Sequence, residues 1–142
     1  MKGKIFAVIL TVMVLLSLFL TRQPAQASIL PVMAVDNVFT AINSGEVDTA
    51  VSSFAKDAIV ENRLRRERYV GATEIRQMLQ GMYKEGRQFD IVGAEMYGDM
   101  IIVQVDVSDR GIVWGTETIV AEVKDGKLQT FNVTDFRLRL WG

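Results

Sequence analysis

Cysteine and histidine are both missing from the 142 residues, and only two prolines occur. Without cysteine no disulfide can form in any compartment, so packing alone must hold the chain together. Without histidine the usual metal ligand and the usual neutral-pH base are gone, so no metal site and no cofactor is expected. Long apolar runs are also scarce: one spans Ile5 to Leu20, short of the roughly 20 residues a membrane-spanning helix needs. What remains, 49% hydrophobic and 23% charged residues, is the composition of one packed globular domain.

The single apolar run follows Lys2 and Lys4 and precedes Thr21-Arg22-Gln23-Pro24, then Ala25-Gln26-Ala27. That layout predicts a secretory leader over residues 1–27, cleaved after Ala27, with a mature domain from Ser28 to Gly142 in the periplasm or outside the cell. No membrane attachment is expected once the leader is cut; an uncut leader is the alternative. The mature part has 13 basic against 17 acidic side chains, a net charge of −4 that gives nucleic acid no electrostatic foothold.

Along the mature chain, Val35, Val38, Phe39 and Ile42 recur at helical spacing, and Asn43-Ser44-Gly45 supplies a stop. Val47, Ala50, Val51 and Phe54 continue the spacing and predict a second, shorter helix ending near Ala55. Asp57 to Asn62 reads as a strand, Arg63 to Arg68 as its exit and a loop closed by Gly71. Ile75, Met78, Leu79 and Met82 mark a third helix starting near Thr73. Strands are then predicted over roughly Gln88–Tyr97, Met100–Ser108, Ile112–Val123 and Lys127–Leu138, separated by Gly98-Asp99, Asp109-Arg110-Gly111 and Asp125-Gly126. Helices first and an antiparallel meander afterwards predict an α+β domain with helices over one face of a curved sheet.

Three stretches in this order, Phe54-Ala55-Lys56-Asp57-Ala58-Ile59-Val60-Glu61-Asn62, Gly71-Ala72-Thr73-Glu74-Ile75-Arg76 and Asp125-Gly126-Lys127-Leu128, carry a resemblance over about residues 33 to 137. The chain resembles the nuclear transport factor 2-like superfamily, which includes ketosteroid isomerases, limonene epoxide hydrolases and SnoaL-like polyketide cyclases. The resemblance implies a cone-shaped half-barrel, an antiparallel sheet of four to six strands covered by three N-terminal helices around one pocket. It also implies which positions would carry isomerase chemistry: the general-base aspartate falls on Asn62, the oxyanion-hole tyrosine on Val38 and the protonated aspartate on Ile119. An amide and two hydrocarbons cannot move a proton, so that chemistry is not expected.

Phased by the same resemblance, strand alternation sends Glu117, Ile119, Ala121 and Val123 inward on one strand and Phe131, Val133 and Asp135 inward on the next. The pocket is therefore expected to be lined by Asn62, Ile119, Phe131, Val133 and Asp135. Asp135 and Glu117 are the two carboxylates able to act as acid and base if the protein is an enzyme; pairing of Asp135 with Arg137 is the structural alternative. Arg63, Arg65, Arg66 and Arg68 could steer an anionic ligand or simply be solvated, and Tyr69, Trp114 and Trp141 are aromatic candidates. The alternating Phe136-Arg137-Leu138-Arg139-Leu140-Trp141 suits a subunit contact, and a homodimer is expected. Three functions stay open: a binding module for a small apolar or amphipathic molecule, an acid–base enzyme on a hydrophobic substrate, and a structural module with a filled core.

Overall fold

In the computed structural model the described residues are 23–139, with side chains described from Pro31 onward. The leader expected over 1–27 lies outside them except for its last five residues, as does Trp141. The compact unit that carries the fold begins at Pro31.

Helix α1 runs over Gln23–Asn43 and α2 over Val47–Ser52. Between them Gly45 takes a φ of 77°, a left-handed conformation that glycine adopts without strain, and the Tyr83 ring packs over it where a Cβ would stand. Strand β1 (Phe54–Asn62) turns through residues 63–66 into β2 (Glu67–Val70), and α3 (Gly71–Lys84) follows. Glu74 accepts a 2.6 Å hydrogen bond from the Val70 amide, occupying one of the donors left free at the start of that helix. Four long strands complete the fold: β3 (Arg87–Tyr97), β4 (Met100–Asp109), β5 (Ile112–Lys124) and β6 (Lys127–Leu138). They form one sheet in the order β2-β1-β6-β5-β4-β3.

Three expectations are corrected. Phe54 does not end the second helix; it opens β1, because Ser53 closes α2 and its carbonyl accepts the Leu128 amide at 2.9 Å, drawing the chain into the sheet. Residues 67–70 are a strand rather than loop. The sheet is not wholly antiparallel either: β1 and β6 run parallel, with Val60 beside Phe131 and Asn62 beside Val133. These two strands are remote in sequence, and turn signals predict only the pairing of neighbours.

The strands do not alternate without interruption. Val92 in β3, Trp114 in β5, and Gln129 and Thr134 in β6 are extra residues, each facing no partner on the adjacent strand. Such bulges bend a strand and raise its local twist. The concave face they help create carries Ile101, Val103, Val105, Val107, Ile119, Ala121, Val123 and Leu128, all buried. Buried residues of α1 and α3, among them Val35, Val38, Phe39, Ile42, Ile75 and Leu79, complete the core.

Two contacts fasten α1 across this face. The Phe39 ring stacks on Phe89 at 5.3 Å and tilts against Phe131 at 5.9 Å. At the end of the helix, Asn43 Nδ2 donates to the Phe89 carbonyl at 2.8 Å while its Oδ1 accepts the Phe89 amide at 2.9 Å. The amide thereby imitates a strand partner for β3, whose outer edge is otherwise unpaired.

Two strands over from Phe89 in the same row of the sheet, Gly115 lies under Phe136, whose Cζ would sit 2.1 Å from an added Cβ, with the Arg137 carbonyl at 2.8 Å. Backbone on one side and a packed ring on the other leave no room to yield. Gly115→Ala is expected to destabilise the fold by about 1–3 kcal/mol, the usual cost of overpacking, measured by urea unfolding; an unchanged midpoint would contradict this packing.

Candidate functional site

A cavity of about 320 Å³ lies on the concave side of the sheet, at the small end of the roughly 300–1,000 Å³ typical of small-molecule pockets. Phe39 comes from α1, Val60 from β1, Phe89 from β3, Ile119 from β5, and Phe131 and Val133 from β6. Met78 and Met82 of α3 close the remaining side; their unbranched, polarisable chains adapt readily to an irregular occupant. The exposed lining residues Arg65, Glu67, Gln77 and Glu85 form the rim. A second hollow at Glu85, Arg87, Asp109, Ile112 and Trp114 is an open surface groove with few walls.

Of the residues expected to line the pocket, Asn62, Ile119, Phe131 and Val133 do so. Asp135 does not: it is exposed, faces Thr118 across the ladder, and pairs with Arg137 at 3.5 Å. The cause is the extra residue Thr134, after which β6 resumes with its faces exchanged. Phe136, not Asp135, therefore stands opposite Glu117. The proposed carboxylate pair is not formed.

Glu117 itself lines the cavity, between Val105 on β4 and Phe136 on β6. Among the described residues no ion pair or hydrogen bond reaches its carboxyl. Burial raises its pKa above the ordinary carboxylate value, and Arg87, then Arg65, pull it partly back. Arg87 is held in place from two sides, by Glu85 at 2.8 Å and by the Trp114 ring, 5.5 Å from its guanidinium carbon. Trp114 packs on Phe136 at 5.4 Å and its indole N–H is buried without a partner among the described residues. It supports the wall rather than lining the cavity.

Asn62 has a different task from the one its position suggests. Its Oδ1 accepts the amides of Leu64 and Arg65, both at 3.1 Å, and so builds the turn into β2. Only its N–H groups remain for a ligand. Val38, at the transferred tyrosine position, is fully buried in the core. Of the arginine cluster only Arg65 lines the cavity; Arg68 lies in β2 and pairs with Glu61 at 3.4 Å. Tyr69 lines it too, its phenol pKa raised by burial first and by Glu67 second.

Sequence reasoning missed Phe39, Val60 and Phe89, and also Arg87, Met78 and Met82, as lining residues. Arg87 was within reach, since it shares the period-2 face of Phe89 and Ile91 on β3. The methionines carried no signal beyond the helical periodicity that also marks core residues.

A family model described as a SnoaL-like domain matches residues 35–131. A search of curated proteins returns no match. Among solved structures, a candidate polyketide cyclase from Sinorhizobium meliloti is 24% identical, with a TM-score of 0.63 over 71% of this chain and 93% of its own. A candidate ketosteroid isomerase from Kribbella flavida is 16% identical, with a TM-score of 0.65 over 80% of each chain. An M. tuberculosis LEH-like epoxide hydrolase is 18% identical, with a TM-score of 0.62 over 78% of this chain and 83% of its own. At these identities the likeness is one of fold, and fold alone leaves the chemistry open.

The unpartnered carboxyl gives the site a pH signature. A raised carboxyl pKa stabilises the fold fully below the unfolded value, and that contribution is lost as pH rises through the folded value. Glu117→Gln is therefore expected to match the wild type in melting temperature below pH 4.5 and to exceed it above that range. Identical pH profiles for the two proteins would mean that Glu117 is fully hydrated.

Proposed function

Since the chain belongs to the family of SnoaL-like domains, we propose that it is an exported binding module that holds a small apolar or amphipathic molecule without altering it covalently. One observation carries this reading: the cavity is walled mainly by phenylalanine, isoleucine, valine and methionine side chains, and Glu117 is the one carboxyl set into that wall rather than at the exposed rim. The positions that would carry isomerase chemistry hold an amide, Asn62, already spent on a turn, and the hydrocarbons Val38 and Ile119. A proton transfer needs an acid or base within reach of the substrate, and Glu117 is the one carboxyl set into the cavity wall, with Glu67 and Glu85 at its exposed rim. An open cavity of about 320 Å³ also speaks against a module whose core is filled by its own side chains.

The second reading is an acid–base enzyme working through Glu117 alone. It is favoured by the raised pKa of that cavity-lining group, since perturbed carboxyls gather at active sites. Asp135 takes no part in it, because the bulge turns that side chain to solvent. A homodimer belongs to the proposal as well, supported by the exposed apolar side chains Val92, Met96, Met100 and Leu138.

Native mass spectrometry of the protein as purified tests these readings together. The expected spectrum shows two chains, with one small molecule per chain released unchanged. Met82→Trp, placed at the cavity wall, is expected to weaken that binding about tenfold or more, equivalent to about 1.4 kcal/mol. Release of a chemically altered compound on incubation would favour the enzyme, and failure of this protein to bind any apolar probe would remove the binding reading.

A further inference from the structure

The cavity's polar groups narrow the chemistry of what it holds. Glu117 is the one carboxylate set into the apolar wall, whereas Glu67 and Glu85 stand at the exposed rim, the latter already paired with Arg87. Glu117 is partly buried and has no donor from the described residues, so an occupant that displaced water from its carboxyl would have to replace the hydrogen bonds lost. The occupant must therefore carry a donor.

The charge of that donor follows from its neighbours. An ammonium group at Glu117 would share the cavity with two cations whose charge already acts on that carboxyl, Arg87 and Arg65. A carboxylate or phosphate would meet Glu117 itself, with Glu67 and Glu85 behind it. Neither charge suits the site. A hydroxyl does, because it donates to Glu117 and its oxygen can accept from a guanidinium or from the free Asn62 amide N–H. Next to it, Phe39, Phe89 and Phe131 hold one another at centroid distances of 5.3 and 5.9 Å and leave an aromatic wall, against which a ring packs favourably edge-on or offset.

We infer that the cavity selects an uncharged cyclic alcohol or phenol, its ring among Phe39, Phe89 and Phe131 and its hydroxyl donating to Glu117. This rests on the binding function proposed above and adds the polarity of the buried contact. The protein supplies the acceptor and the ligand supplies the hydrogen. A ketone of the same size, an acceptor only, has no hydrogen to give an ionised Glu117.

Calorimetric titration of the protein with three probes of one skeleton tests the inference: 2-naphthol, 2-methoxynaphthalene and 2-acetylnaphthalene. The naphthol is expected to bind about ten- to hundredfold more tightly than either of the others, the worth of one hydrogen bond to a charged group. In Glu117→Met this preference should vanish while the ether keeps its affinity, and in Glu117→Gln, which retains an acceptor oxygen, part of it should survive. The comparison among probes on the unmodified protein stands even if a variant fails to fold. Equal binding of all three, or tighter binding of the ketone, would overturn the inference and leave the apolar binding site intact. Binding of none would overturn the binding function itself.

Discussion

Curvature of the sheet is the constraint from which the rest of this structure follows. A flat sheet of this width would let α1 and α3 lie directly on it and would leave no hollow. Extra residues at Val92, Trp114, Gln129 and Thr134 bend the strands, and the helices then bridge the concavity instead of filling it. The Phe39–Phe89–Phe131 contacts and the Asn43 clamp on Phe89 fix α1 at that span. Each bulge also exchanges the faces of the strand beyond it, so the same residues that shape the cavity decide what lines it.

That coupling explains the unusual economy of the site. Glu117 stays inside because β5 keeps its phase from Gly115 to Val123, while Asp135 is expelled by the single extra residue before it. The result is a carboxyl facing hydrocarbon without a partner, beside an arginine immobilised by Glu85 and Trp114. Drying such a group without giving it a partner would cost stability. Its retention in the wall of an open cavity is understandable if an occupant completes its hydrogen bonding.

Much of the fold was legible in the sequence because its signals are periodic and local. The spacing of Ile75, Leu79 and their neighbours marked α3, and glycine-bearing turns at 98, 111 and 126 delimited the long strands to within a residue or two. What escaped was non-local or a matter of counting. Phe54 fits a helical spacing, yet the hydrogen bond between Ser53 and Leu128 draws it into the sheet. The parallel pairing of β1 with β6 joins segments separated by the whole domain. Thr134 looks like any strand residue, since threonine suits a pleated surface, and nothing in its neighbours announces that it has no partner across the ladder. Asp135 was misplaced for that reason alone.

The absence of native cysteine allows the register to be read one position at a time. In single-cysteine variants Val133→Cys and Asp135→Cys, the rate of labelling by a bulky maleimide reports which side of the sheet each position faces. The account predicts that the thiol at 135 reacts as fast as an exposed peptide thiol and the thiol at 133 far more slowly. Rapid labelling at 133 together with protection at 135 would contradict it, and with it the placement of every residue assigned to the cavity on β6.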